Sequence, residues 1–583
     1  MCISAIGDWR MWTFPGYECD SVTKSRVQFA IHCLETCAKQ HPKCKPRLAP
    51  KTWQPTRLID LGALGGLLEP KLVQFQSNNP RLCQSYATLS HRWGMANVIK
   101  LTTETQKAFS NTIDVNALPK TFQDAFNVVK KLRVRFIWID SLCIIQDSIE
   151  DWQKESAMMA DVYQHAEFNV SATGALDSTG GLFPGNKFIT DLLCAIELSK
   201  SYTWTPGEYF IIKPHLWSSG VSDAPLNQRG WVLQERVLAG RVMHFGKEQL
   251  YFECKEMDVC EVFPKGMPNI EAFQTRTLGL ASNGRFKRQD PSIDGAWLRQ
   301  SNSMGRLSSS PEFNAYSLWN ELVEAYSRMT LTNQSDKLIA ISGIAKHMRE
   351  VLNDQYIAGL WKTHLPFYLL WTKRKDTPMN TEPMNYIAPT WSWASINEKV
   401  TMYPITNSDD ERILIDIEAV ETYPVTDDDT GQLVGGYIRM RAFLRKCWIA
   451  RCRLYDNPIN SWQIQQSPAR LWLDIKNSCT IYVWPDELDN IATGDLVSWN
   501  KNSQVYCMPV HVWWKEEMDC CCTEGLILKK VSDDMYMRFG RFKITLANTK
   551  DTIAFFGKDP RELICGFNDG GQVPLTSAII SLV

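Results

Sequence analysis

Two short apolar runs with an amphipathic stretch between them do most to limit what this chain can fold into. Tyr86–Leu89 and Phe136–Ile139 read as strands, and each runs into a polar residue, Ser90 and Asp140. Between them Phe122, Ala125, Phe126, Val129 and Leu132 recur at helical spacing, just after Pro119. A helix placed between two strands carries the chain back to its starting edge. The strands are therefore predicted to be parallel, joined by a right-handed crossover. Phe168–Ala172 reads as a third strand, so an α/β fold with a parallel sheet is expected here.

At 583 residues the chain is too long for one hydrophobic core. Patterning divides it into four regions. Residues 1–55 are a polar lead-in with a helix over Val27–Gln40 ended by Pro42, and 56–246 hold the α/β pattern. Residues 247–400 combine a long loop (265–310) with helices at Tyr316–Thr330 and Lys337–Leu352. Residues 401–583 are β-rich, with runs such as Gly436–Phe443, Ala469–Leu473 and Thr480–Val483. The 22 Trp predict cores dominated by aromatic packing.

Lys+Arg total 63 against 64 Asp+Glu, a balance that argues against a nucleic-acid partner. No apolar run is long enough to span a membrane, and the first residues do not read as a secretory signal. The 18 Cys are sparse in so long a chain, so buried thiols in a reducing, cytoplasmic setting are expected rather than a disulfide scaffold.

Three blocks carry the motif content: Tyr86-Ala-Thr-Leu-Ser-His-Arg-Trp-Gly94; Phe136-Ile-Trp-Ile-Asp-Ser-Leu-Cys-Ile-Ile-Gln-Asp147 continuing through Asp151-Trp-Gln-Lys-Glu155; and Arg229-Gly-Trp-Val-Leu-Gln-Glu-Arg236 with Arg241 and His244-Phe-Gly246. In this order and spacing they closely resemble the fungal heterokaryon-incompatibility (HET) domain, over residues 57–246. Ala388-Pro-Thr-Trp-Ser-Trp-Ala394 resembles a downstream element of the same family. The resemblance implies a module of fungal nonself recognition that triggers programmed cell death, controlled by self-association or a protein partner. HET domains are in turn similar to TIR domains, which implies a flavodoxin-like sheet. Some TIR domains cleave NAD, and Trp152-Gln-Lys-Glu155 resembles the helix bearing their catalytic glutamate. NAD would then be a substrate; no bound cofactor is expected.

Glu155 can also be read from helix geometry alone. At about 100° per residue from Trp152, Met159, Tyr163, Ala166 and Val162 fall between about +20° and −80°, and Glu155 falls at about −60°, inside that apolar stripe. A carboxylate turned inward must be paired, line a cleft or snorkel. Either it pairs with an arginine such as Arg92, Arg229 or Arg236, or it is an active-site carboxylate at the strand ends, where open α/β sheets bind ligands. An oxocarbenium-like charge at a ribose carbon would be stabilised by such a group.

Ser90, Trp93, Asp140, Gln146 and Arg236 are the candidate ligand-binding neighbours, each with a plainer alternative. Trp93 anchors a loop or stacks on a ring; Asp140 caps the following turn or lines the cleft; Gln146 shapes the loop ahead of the Trp152 helix, whose N-cap is Asp147 or Ser148. Arg236 belongs to an internal ion-pair network or grips a phosphate. Cys143, between Leu142 and Ile144, reads as a small buried hydrophobe.

Cys33, Cys37, His41 and Cys44 are legal zinc ligands, but on one continuous helix their Cα atoms would spread over about 16 Å. Only a break at Pro42 would fold Cys44 back, and no metal is expected. GxxxxGK[ST], GxGxxG, HExxH and GxSxG are all absent, which removes support for nucleotide-driven, dehydrogenase and conventional hydrolase chemistry.

Overall fold

The computed structural model describes residues 2–5, 22–44, 53–75, 85–94, 99–185, 194–198, 207–212, 216–267, 287, 311–374, 386–405, 411–450, 470–472, 479–485, 504–515, 520–546 and 577–583. The chain forms two compact units: Met1–Asp294 with Met329–Leu331, and Gly295–Arg328 with Thr332–Val583. Most of the expected loop at 265–310 lies outside the described residues.

In the first unit the strands are β1 (Cys2–Ala5), β2 (Arg57–Asp60), β3 (Lys71–Gln74), β4 (Tyr86–Ser90), β5 (Phe136–Trp138), β6 (Phe168–Ser171), β7 (Cys194–Leu198), β8 (Gly207–Ile212), β9 (Arg241–Phe245), β10 (Leu250–Cys254) and β11 (Asp258–Cys260). The helices are α1 (Val22–Gln40), α2 (Gln106–Asn111), α3 (Lys120–Lys131), α4 (Asp140–Cys143), α5 (Ile149–Gln164) and α6 (Gly230–Leu238). An eight-stranded sheet runs β11-β10-β9-β6-β4-β5-β2-β3. Its centre, β9, β6, β4 and β5, is parallel, as the strand–helix–strand pattern requires. Antiparallel strands close both edges. β4 and β6 are buried at every position, because helices cover both faces of a parallel sheet.

The crossover helices follow from local sequence. Pro119 stands immediately before α3, whose Phe122, Ala125, Phe126 and Val129 are buried. Ser148 caps α5 by accepting from Asp151 N, and Glu150 and Asp151 in its first turn suit the positive end of the helix dipole. Its inward stripe holds Met159, Val162, Tyr163 and, as the 100° projection places it, Glu155, which is 1% exposed. Past β6 the backbone closes on the end of β9: Gly174 N donates to Phe245 O at 2.8 Å. A Cβ at Gly174 would run into the backbone of Gly246 and Lys247, so only glycine permits this approach.

The second unit holds α7 (Pro311–Tyr326), α8 (Ile339–Leu352) and two short hairpins, β12 (Tyr356–Ile357) with β13 (Leu360–Trp361) and β14 (Thr372–Lys373) with β15 (Val400–Thr401). The rest is a ten-stranded, almost wholly antiparallel sheet made of β16 (Glu411–Ile413), β17 (Asp416–Pro424), β18 (Leu433–Phe443), β19 (Arg445–Ala450), β20 (Arg470–Trp472), β21 (Cys479–Pro485), β22 (Gln504–Lys515), β23 (Cys520–Lys530), β24 (Met535–Leu546) and β25 (Ser577–Leu582). Trp319, Trp361, Trp371, Trp391 and Trp393 are fully buried in this unit. Several direct their indole N–H to backbone carbonyls: Trp319 and Trp393 to Gly359 O, Trp371 to Trp391 O. The Ala388–Ala394 segment is thus a core element here. Among the described residues no helix is long and apolar enough to cross a membrane.

Candidate functional site

Taken in chain order, the four parallel strands of the first unit lie second-first-third-fourth (β5-β4-β6-β9). The order reverses between β4 and β6, and in open α/β sheets ligands bind beyond the carboxyl ends at such a switch. There the three sequence blocks meet.

Ser90 ends β4 and receives Asn169 Nδ2 at 2.9 Å; Asn169 Oδ1 accepts from Thr88 at 3.0 Å. The Ser90 hydroxyl also hydrogen-bonds Glu235 of α6, whose Oε2 accepts from Tyr163 Oη of α5 at 2.9 Å. Burial pushes the Glu235 carboxyl up to about 7; the Ser90 bond opposes the rise and the Asp140 charge adds to it. Asp140 accepts from Trp93 Nε1 at 2.9 Å and from Ser141 N at 2.7 Å. His91 Nδ1 stands 3.7 Å from Asp140, yet burial pulls the imidazole down to about 4, so it is neutral at pH 7. Arg229 reaches across to donate to His91 O at 2.6 Å.

The remaining candidates go elsewhere. Gln146 donates to the carbonyls of Asp140 and Ile144 at 3.0 and 3.1 Å, shaping the loop into α5. Arg236 forms a bidentate pair with Glu253 of β10, both bonds 2.8 Å, with His244 Nε2 3.4 Å from the same carboxylate. Burial alone would raise Glu253, but Arg236 and His244 hold it well below the usual carboxylate range. Glu155 lies 3.9 Å from Arg57 of β2, an arginine outside the three that helix geometry suggested. Arg57 itself forks onto Asp151 at 3.0 and 2.5 Å and onto Cys143 O at 2.8 Å. Burial raises the Glu155 carboxyl, against the pull of Arg57. Ser90, Trp93 and Asp140 therefore gather at the switch with Tyr163, Glu235 and His91, whereas Glu155 and Arg236 anchor separate ion pairs.

A cavity of about 640 Å³ opens at the carboxyl ends of β6 and β9, lined among others by Gly174, Asp177, Thr179, Asp223, Lys247 and Tyr251. None of the candidates named from sequence forms part of its wall. Cys143 is fully buried and its thiol is pushed up to about 12, first by burial. In native protein it is expected to stay unmodified by iodoacetamide while unfolded chains label; native labelling of Cys143, read by peptide mass spectrometry, would contradict that environment.

Sheet order and strand-end cluster define a doubly wound α/β domain whose polar residues are knitted inward rather than left open. The family model described as heterokaryon incompatibility protein (HET) matches residues 86–235, the span from the start of β4 to Glu235. The chain therefore carries a heterokaryon incompatibility domain. No curated protein and no solved structure matches the chain.

Proposed function

We propose that this chain is an effector of fungal nonself recognition and programmed cell death, in which the HET domain acts as a cytoplasmic assembly module meeting a protein partner or further copies of itself. The observation that carries this reading is the destination of the motif side chains. Ser90, Tyr163 and Glu235 satisfy one another, Arg229 holds His91 O, Trp93 and Gln146 fasten the Asp140 turn, and Arg236 is taken by Glu253. Such a network specifies one rigid shape, which is what a docking module requires.

A second reading, NAD cleavage of the kind some TIR domains perform, draws support from a buried carboxyl at the strand-order switch, Glu235, pushed up to about 7 by burial. Hydrolysis would break the nicotinamide–ribose bond, add water at the ribose carbon and release nicotinamide and a proton. On this reading Glu235, within reach of Ser90 and close to Asp140, is better situated than Glu155, which Arg57 and Asp151 surround.

The two readings part in cells. Expression of the intact chain in a fungal host should kill, with cellular NAD unchanged before viability falls, and Arg236→Met, which destabilises the domain, should weaken killing. Survival of hosts expressing the intact chain would overturn the effector role. An NAD collapse that precedes death, and that Glu235→Gln prevents without unfolding the protein, would replace assembly by catalysis.

A further inference from the structure

Away from the strand ends, four metal-binding side chains from two distant stretches of sequence come together. Cys37 lies in the last turn of α1, His41 just beyond it, and Cys44 ends the short 3₁₀ turn Pro42–Cys44; Cys254 is the last residue of β10, against which α1 packs. Their ligand atoms all lie within 4.8 Å of one another, with His41 Nδ1 and Cys254 Sγ 3.4 Å apart. Zn–S bonds of about 2.3 Å at tetrahedral angles would set sulfurs about 3.8 Å apart, so shifts of about an ångström or less complete such a site.

We propose that Cys37, His41, Cys44 and Cys254 hold a structural zinc ion that fastens α1 to the β10–β11 edge of the sheet. The break at Pro42 makes it possible: α1 stops at Gln40, His41 N donates to Cys37 O, Cys44 N donates to His41 O, and Cys44 is brought back beside Cys37. The hairpin supplies the rest: Cys254 N donates to Met257 O at 2.9 Å, closing the turn, and Glu256 accepts from Lys43 N at 2.6 Å.

The surroundings suit a thiolate-rich cation. Three thiolates, one neutral imidazole and Zn²⁺ sum to a single negative charge. Arg241, itself buried, donates Nε to Cys37 Sγ at 3.2 Å and Nη2 to Cys44 O at 3.0 Å. That guanidinium, which Glu167 also pairs at 3.0 Å, partly offsets the charge and orients a ligand from outside. Three sulfurs and one nitrogen in tetrahedral reach select zinc over hard cations, and four protein ligands leave no open position, so the role is structural. Cys33, one turn earlier on α1, lies outside the set, with burial raising its thiol.

The test uses the full-length chain, purified under reducing conditions. Inductively coupled plasma mass spectrometry should find about one zinc per chain. Replacement by Co²⁺ should give the intense ligand-field bands and sulfur-to-cobalt charge transfer of a tetrahedral thiolate site. Cys254→Ser and His41→Ala should lose or blue-shift those bands, Cys33→Ser should keep them, and chelation should lower Tm. Wild-type chain that binds neither metal stoichiometrically, a disulfide among these cysteines after reducing purification, or a spectrum that depends on Cys33 and not on Cys254 would each overturn the proposal. If Cys254→Ser does not fold, the wild-type metal content and cobalt spectrum still decide it.

Discussion

Arg236→Met is expected to cost the first unit about 3–5 kcal/mol, because it strips a buried carboxylate of its bidentate partner and keeps much of the side-chain volume. Glu253 is 1% exposed and Arg236 5% exposed, so water cannot take over the missing bonds. Among the described residues His244 also touches Glu253, but burial pulls its imidazole down to about 4, so at pH 7 it contributes a neutral contact, while the buried Lys287 ammonium attracts the carboxylate without replacing the bidentate bonds. For a unit of this size the loss corresponds to a fall in Tm on the order of 10 °C. The double variant Arg236→Met/Glu253→Gln should recover part of it, since the penalty arises from the orphaned charge rather than from any large net worth of the pair. Calorimetry of these two variants and of Glu253→Gln alone is the check. A single variant that melts with wild type, or a double variant less stable than the sum of the singles, would show that the pair is not what holds α6 to β10.

The parallel core was legible because two constraints coincide in it: helical periodicity between two apolar runs, and strand ends marked by polar residues. β4, α3, β5 and β6 stand where Tyr86–Leu89, the Phe122 series, Phe136–Ile139 and Phe168–Ala172 predict them. α1 begins five residues earlier than the apolar spacing indicates, at Val22, since its first turn carries polar residues that periodicity does not register. In the second unit the helical stretches and the run before Phe443 were equally readable, but not the order of the sheet, which β25 completes by inserting between β18 and β24. Strand order set by a segment so far along the chain leaves no local trace.

Partners across the fold were the other limit. Helix winding turned Glu155 inward, and the structure has it buried, but which arginine faces it depends on β2 lying antiparallel beside β5. Arg57 belongs to no motif block, so nothing in its neighbourhood pointed to Asp151 or Glu155. Arg236 belongs to an ion-pair network, but its partner is Glu253, from a β10 strand outside the three sequence blocks. The cysteine cluster teaches the same lesson: three ligands are local, and the fourth, Cys254, is more than two hundred positions away. Glu235 was visible only as one polar residue among Gln234 and Arg236; that it faces Ser90 and Tyr163 comes from where α6 crosses the sheet.

Glu235→Gln should make the protein more stable above neutral pH and leave it little changed in mild acid. The folded carboxyl titrates near 7, pushed up mainly by burial, whereas in the unfolded chain it titrates near its ordinary value of 4.5. Between those limits the folded state holds the proton more tightly, so as pH rises wild type loses up to about 3 kcal/mol through this group, all of it lost by the time pH passes 7. Glutamine cannot ionise, still accepts from Tyr163 Oη and fills the same volume. His91 gives the opposite slope: its imidazole is pulled down to about 4 from 6.5, so its contribution grows as pH rises over that range. His244, pulled down to about 4 as well, adds to the His91 slope, so the wild-type curve mixes opposing contributions and only the difference between variant and wild type isolates Glu235. Urea unfolding of both proteins at pH 5 and pH 8 should give a gap that widens with pH. A gap of the same size at both would mean that water or a cation reaches the carboxylate. A widening gap together with lost killing in cells would mark Glu235 as a group held in a costly state for the sake of function.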